Sequence, residues 1–305
     1  MIHHGKKNRG NHTKIEGIIP AMVTLFKEDQ EIDETALREH IDFLIENGVH
    51  GIFALGTNGE FVYLSKEEKK QVLEITADQV NGRVALIAGI SSHSTKISVE
   101  LAKYAEDLGV TAVMAILPTY YPLENKNVQM YYEEIASAIE IPLYAYNFPM
   151  TNQLNLSPKL VAKLAEQKIL AGIKETVMDI NHIKQMIEST PDDFIVINGS
   201  ELLLDQALKA GVDGAIHGMA NCFPKKLVQI WDAFQNKKPE FNNYWQEFKE
   251  AIPLLNVPMD YLPSLTKEIL VAMGRDIVPQ VRSPLRIIKD RWRKKIKDLK
   301  LLKAQ

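Results

Sequence analysis

From Glu16 onward, short apolar runs alternate with stretches whose apolar residues recur every three or four positions. Short apolar runs bounded by turn residues read as strands buried on both faces, and the wider spacing reads as amphipathic helix. Gly17 to Phe26 (GIIPAMVTLF) forms a first strand, followed by a helix from Asp33 to Asn47 whose Asp33 is placed to cap the first turn. Gly51 to Leu55 is the second strand, and the helix after it opens at Ser65, with Glu68 at capping-box spacing. Runs starting at Val84 and Ala112 give the third and fourth strands, with a helix between them. The fifth starts at Pro142 and precedes a helix that opens on Ser157-Pro158, a cap residue followed by the proline favoured at the first helical position. Leu170 to Glu175, Phe194 to Gly199 and Gly214 to Gly218 complete the strands, and an eighth helix runs from Pro224 to Gln235.

Eight βα units in succession predict a parallel sheet, and their number predicts closure into a (β/α)8 TIM barrel over residues 15–235. A doubly wound open sheet is the rival. It wants a glycine-rich turn after the first strand, where this chain has Lys27-Glu28-Asp29-Gln30. After Gln235 the alternation stops. Asn236 to Pro239 reads as a linker, and residues 236–305 as a C-terminal helical region with helices over Glu240–Leu255, Leu262–Gly274 and Ser283–Leu302. The last of these is strongly basic, which reads as a solvated face. Residues 1–14 are polar and basic, read as a flexible tail, and lack the apolar stretch of a signal peptide.

Composition narrows the classes only a little. A chain of 305 residues with 46% apolar and 25% charged residues has a soluble globular balance. Its 36 Lys and Arg against 39 Asp and Glu give a net charge of −3, without the bulk positive charge of a nucleic-acid binder. No run approaches the roughly 20 apolar residues of a membrane span. The single cysteine, Cys222, has no internal partner, so a cytoplasmic location is expected.

In barrels of this kind chemistry sits at the C-terminal ends of the strands. Lys174 is the most informative residue there, because a lysine within an apolar strand must point into the barrel or bear a desolvation cost. Burial lowers a lysine pKa and frees the neutral amine to attack a carbonyl. From that strand alone, a lysine at the strand mouth paired with a carboxylate is the commoner reading. Tyr146 ends the adjacent strand, within reach as a proton shuttle. Thr57 and Asn58, flanked by Gly56 and Gly59, offer hydroxyl, amide and backbone N–H groups to a small carboxylate. His217 ends the eighth strand, where contact with a substrate and a bond to backbone are both open. No His or Cys pair has zinc-ligand spacing, and His3, His4 and His12 fall in the tail, so no metal is expected.

Gly56-Thr57-Asn58-Gly59-Glu60, Tyr120-Tyr121, Tyr146-Asn147-Phe148-Pro149 and Gly172-Ile173-Lys174-Glu175 occur in order at strand-to-strand spacing. Together they resemble the dihydrodipicolinate synthase/N-acetylneuraminate lyase family of Schiff-base barrel enzymes, from Gly17 to the Val281–Leu285 stretch. The resemblance implies that Lys174 forms an imine with a 2-oxo acid, usually pyruvate, while Tyr146 relays protons. It implies that Thr57 links Tyr146 to a Tyr121 contributed by the neighbouring subunit of a homotetramer or dimer. Gly56, Thr57 and Asn58 then surround the pyruvate carboxylate, the carbonyl of Ile216 faces the site, and an aldehyde is the second substrate. No cofactor beyond the covalent imine is implied.

The chain departs from the family pattern in places. Asn58 replaces the usual second threonine of Gly-Thr-Thr-Gly-Glu, and Thr151 stands where true dihydrodipicolinate synthases usually carry an arginine. His93 and Ile97 replace polar effector contacts, so lysine feedback is not expected. Thr151 and His217 become candidates for substrate selection. The expectation is a Schiff-base lyase, either a 2-keto-3-deoxy sugar-acid-type aldolase or a divergent dihydrodipicolinate synthase. A dehydratase of the same family and a non-catalytic binding or regulatory barrel are the alternatives.

Overall fold

The computed structural model describes residues 15–304, and the expected N-terminal tail with His3, His4 and His12 lies outside them. Among these residues eight strands lie parallel: β1 (Gly17–Pro20), β2 (Gly51–Ala54), β3 (Ala85–Gly89), β4 (Ala112–Ile116), β5 (Leu143–Asn147), β6 (Gly172–Glu175), β7 (Ile195–Asn198) and β8 (Gly214–His217). From β2 to β8 each strand pairs with its sequence neighbours in that run, and β8 pairs with β1. The ring closes between β1 and β2, where His50 N–H donates to the Ile18 carbonyl and Met22 N–H to that of Phe53, both at 2.9 Å. The fold is the (β/α)8 barrel that the alternation predicts.

The helices are α1 (Glu34–Glu46), α2 (Lys66–Val80), α3 (Thr95–Asp107), α4 (Asn125–Ala136), α5 (Pro149–Asn152), α6 (Pro158–Glu166), α7 (Ile180–Ser189), α8 (Leu204–Ala210), α9 (Pro224–Gln235), α10 (Phe241–Lys249), α11 (Leu262–Ala272) and α12 (Asp290–Lys297). Asp33 caps α1 by accepting from Ala36 N–H, Ser65 and Glu68 form the full capping box of α2, and Ser157 caps α6 ahead of Pro158. The short α5, in the loop after β5, has no counterpart in the sequence pattern.

Alternation along each strand divides the core into two. Ile19, Phe53, Ile87, Met114, Tyr144, Tyr146, Ile197 and Ile216 fill the barrel. Ile18, Ile52, Ala88, Val113, Ala145, Ile173, Val196 and Ala215 face outward, against the helices. The outer core also takes in Trp245, Phe248, Leu265, Ile269, Trp292 and Ile296, so the C-terminal helices pack into the same apolar layer as those of the barrel.

Several element boundaries differ from the sequence reading, three of them with a visible cause. The first strand stops at Pro20 because the Asn221 side chain takes over its backbone partners, donating to the Ala21 carbonyl (2.8 Å) and accepting from Val23 N–H (3.1 Å). The helix over Glu240–Leu255 ends at Lys249, and a 3-10 turn (Ile252–Leu255) follows, where Pro253 has no N–H to continue the ladder. The helix expected from Ser283 begins only at Asp290. Before it, the Arg282 N–H goes to the Glu60 carboxylate (2.7 Å) and the Ile288 N–H to Ser264 Oγ (2.9 Å), instead of to carbonyls one turn back. The basic residues Arg291, Lys294, Lys295 and Lys297 are solvent-exposed, while Trp292 and Ile296 anchor the opposite face of α12. No helix among the described residues is long and apolar enough to cross a membrane.

Candidate active site

The register of β5, β6 and β7 sets Tyr146, Lys174 and Ile197 side by side. The period of two turns all three into the barrel, near its C-terminal mouth. Lys174 is 3% exposed, with Nζ 4.1 Å from the centre of the Tyr146 ring and 5.3 Å from that of Phe53. Phe53 meets Tyr146 edge-on, and Phe148 stacks on the same ring with centroids 5.9 Å apart. Among the described residues no carboxylate lies within ion-pair distance of Lys174, so the paired-lysine reading loses its partner.

Beyond β2, the turn Gly56–Glu60 carries Thr57, whose Oγ1 is 3.2 Å from the Tyr146 hydroxyl. Lys174, Tyr146 and Thr57 are therefore brought together. Ile216 is fully buried in the interior layer, in register with Ile19 of β1. Asn58 is placed differently: its side-chain amide donates to Thr266 Oγ1 on α11 (3.2 Å).

Tyr121 and Thr151 stand apart from Lys174. Tyr121, in the loop after β4, is 74% exposed and stacked edge-on with Tyr120, without a bond to Thr57 in the single chain. Thr151 Oγ1 donates to the Phe148 carbonyl (2.8 Å), so its hydroxyl is engaged within its own turn.

His217 is fully buried but follows Ile216 on β8, which turns it to the outer side of the sheet. There Asn198 Nδ2 lies 3.1 Å from its Nε2. An amide nitrogen can only donate, so the ring proton sits on Nδ1, which has no hydrogen-bond partner. Burial holds the His217 pKa below that of an ordinary histidine, opposed by Glu201 and assisted by Lys174.

The structure adds residues that the sequence reading left without a role. On the outer side of β6, Glu175 is fully buried; its Oε2 accepts from Asn147 Nδ2 (2.9 Å) and lies 3.7 Å from His182 Nε2. Burial raises the Glu175 pKa against the pull of His182 and Asn147, and the Glu175 carboxylate raises that of His182. Glu60 and Lys267 form a second fully buried pair, 2.6 Å apart. Little in the sequence signals this pair, because Lys267 lies between Thr266 and Glu268 in the helix.

A desolvated amine without a carboxylate partner, beside a phenol that can move protons, suits attack on a carbonyl carbon to give an imine. This chemistry defines the class: a lyase of the class I aldolase type, acting through a Schiff base. The model of the dihydrodipicolinate synthetase family matches residues 14–304, and the chain belongs to that family. A 4-hydroxy-tetrahydrodipicolinate synthase of Methanopyrus kandleri is 40% identical over 225 residues, covering 73% of this chain and 75% of the relative. An uncharacterised DapA-like lyase of Halobacterium salinarum is 32% identical over 281 residues, 92% of this chain and 91% of that one. Among solved structures, the family member YagE from E. coli K12 in complex with pyruvate superposes with a TM-score of 0.91 at 29% identity, covering 95% of this chain and 99% of that one. CdNal from Clostridium difficile in complex with mannosamine gives 0.88 at 28% identity, covering 96% and 99%.

Proposed function

We propose that this protein joins or splits pyruvate and an aldehyde through an imine on Lys174. The single observation that carries the reading is the buried Lys174 amine against the Tyr146 ring with no carboxylate beside it. The Lys174 amine adds to the C2 carbonyl of pyruvate and water leaves, giving an iminium that draws electrons from C3. Loss of a C3 proton gives an enamine; its C3 attacks the aldehyde carbon, and hydrolysis returns the amine and the product. Tyr146, hydrogen-bonded to Thr57, exchanges the protons of dehydration and aldol addition. Thr57 and the backbone N–H groups of the Gly56–Glu60 turn hold the pyruvate carboxylate. No cofactor beyond the lysine enters this cycle.

The segment Pro149–Gln153 after β5 contains no cationic side chain, and Thr151 is turned back onto Phe148. A carboxylate-bearing acceptor such as aspartate semialdehyde thus lacks a bidentate guanidinium there. We therefore favour an uncharged, sugar-derived aldehyde and place the protein nearer the 2-keto-3-deoxy sugar-acid aldolases. A homotetramer or dimer in the cytoplasm belongs to the same proposal, with the exposed Tyr121 completing the Thr57–Tyr146 relay of a neighbouring subunit.

Borohydride trapping tests the reading. Incubation with pyruvate followed by reduction should leave an adduct on Lys174, absent from Lys174→Ala. Failure to trap any 2-oxo acid would overturn the imine, and an adduct with only a longer 2-oxo acid would favour the dehydratase. Faster condensation with aspartate semialdehyde than with glyceraldehyde would overturn the sugar-acid preference.

A further inference from the structure

Lys267 is fully buried on α11, among Leu265, Ile269 and Leu270 of the apolar core. Its Nζ donates to Glu60 Oε1 and to the Gln280 carbonyl, both at 2.6 Å, and lies 4.4 Å from the centre of the Phe26 ring. The other Glu60 oxygen accepts from the Arg282 N–H at 2.7 Å. Glu60 also holds a left-handed backbone (φ 59°), which an L residue adopts at a cost. Its neighbours in the turn are tied in the same outward sense. Gly59 O accepts from Thr24 Oγ1 at 2.7 Å, and Asn58 Nδ2 donates to Thr266 Oγ1, which itself donates to the Leu262 carbonyl at 3.0 Å.

A buried ion pair seldom stabilises a fold more than apolar residues of the same volume would. What this one does is fix position. Two consecutive residues of α11, Thr266 and Lys267, hold two alternate side chains of the turn whose Thr57 reaches Tyr146. We propose that Thr266 and Lys267 are positioning residues for binding the carboxylate of the 2-oxo acid, so that the C-terminal helical region belongs to the catalytic unit. The inference rests on the imine reading given above. Neither residue touches substrate; each acts by aiming the backbone N–H groups of the Gly56–Glu60 turn.

The test separates carboxylate binding from amine reactivity and from folding. Glu60→Gln/Lys267→Met removes both charges at similar volume, and Thr266→Val removes the acceptor of Asn58. Folding is checked by circular dichroism and thermal melting. Borohydride trapping on Lys174 is then measured against concentration for pyruvate and for acetone, a ketone without a carboxylate. The half-saturating pyruvate concentration should rise by about tenfold, equivalent to roughly 1.4 kcal/mol of binding, while the acetone rate falls by much less. Thr266→Val should show the same selectivity with a smaller rise, and it supplies the answer if the double variant does not fold. Wild-type pyruvate saturation in folded variants, or an equal loss with both ketones, would overturn the positioning role. A wild-type protein that traps acetone but shows no saturation with pyruvate would overturn the carboxylate site itself, and one that traps neither would overturn the imine reading beneath it.

Discussion

Gly199, the first residue after β7, has no room for a side chain on the Lys174 side. A Cβ there would stand 3.0 Å from Lys174 Cε, 3.0 Å from Thr176 Cβ and 2.0 Å from Thr176 Oγ1. In Gly199→Ala the closest clash is the easiest to relieve, because Thr176 Oγ1 has no hydrogen bond to lose when it rotates. The two carbon contacts remain, well inside the normal separation of about 3.5–4.0 Å. Thr176 Cβ is fixed to the backbone at the end of β6, whereas the lysine stem is free to bend, so Lys174 moves. Overpacking of this kind costs about 1–3 kcal/mol of stability. A displacement of several tenths of an ångström at a reacting atom also slows the reaction, because misplacement by about 1 Å reduces turnover roughly 100-fold. The expected result is a folded protein, slightly less stable to urea, with imine formation slowed about 10- to 100-fold. Single-turnover borohydride trapping measures that rate, and urea unfolding gives the stability. Adding Thr176→Ala removes the 2.0 Å contact but keeps both carbon contacts, so it should restore neither the stability nor the rate. A Gly199→Ala variant that loses stability but forms the imine at the wild-type rate would refute the crowding of Lys174; so would a double variant that recovers both.

Tyr146→Phe removes the hydroxyl that meets Thr57 Oγ1, and turnover should fall about 10²- to 10⁴-fold with folding intact; turnover close to wild type in a steady-state assay would exclude the phenol as proton relay. Thr151→Arg should raise the use of aspartate semialdehyde relative to glyceraldehyde in a competition assay, and an unchanged ratio would show that this position does not select the acceptor. His40 is fully buried, and that burial pushes its pKa down to about 4, against a hydrogen bond to Asn221 and with a smaller downward push from Arg275. The unfolded chain binds a proton near pH 6.5 that the folded state refuses until about pH 4. Stability from this group is therefore complete above pH 6.5 and falls by about 3 kcal/mol as the pH drops through that window. Urea unfolding of wild type and His40→Gln at about pH 7 and about pH 4.5 should show the extra loss only in wild type; equal losses would mean that the ring is not held neutral.

Residues whose environment is set by their own strand or helix end were legible in the sequence. Lys174 stood out because a charge interrupted a short apolar run, and the Asp33, Ser65 and Ser157 caps because capping depends on side chains a few residues away. What escaped depended on partners distant in the chain. Lys267 and Glu60 are 207 positions apart, and only closure of the barrel and docking of α11 bring them together. The same distance explains two of the misread ends. Asn221 caps the extension of β1 from 198 residues beyond Val23, and Glu60 takes the Arg282 N–H that a helix starting at Ser283 would have left free. His217 is a different case. Once Ile216 was assigned to the site, a period of two already turned the next side chain away from it.

That period also explains how four short strands carry a site and its support together. On β5 and β6, the residue before each strand end faces the barrel interior (Tyr146, Lys174), and the residue after it faces out (Asn147, Glu175). On β7 and β8 the corresponding pairs are Ile197 with Asn198 and Ile216 with His217. The outward four are polar although they are buried, and their bonds go to one another and to the loops that leave the strands. Asn147 Oδ1 accepts from Leu156 N–H and Asn198 Oδ1 from Ser200 N–H, while Asn147 meets Glu175 and Asn198 meets His217. Buried backbone groups at a strand end need partners once the ladder stops, and a short polar side chain one residue past the inward group supplies them without entering the barrel. The inner face is thereby left free of groups that would pair with Lys174. The same alternation that gives the amine its apolar walls gives the loop backbones their hydrogen bonds, and a one-residue shift of β6 would exchange Lys174 with Glu175 and remove both.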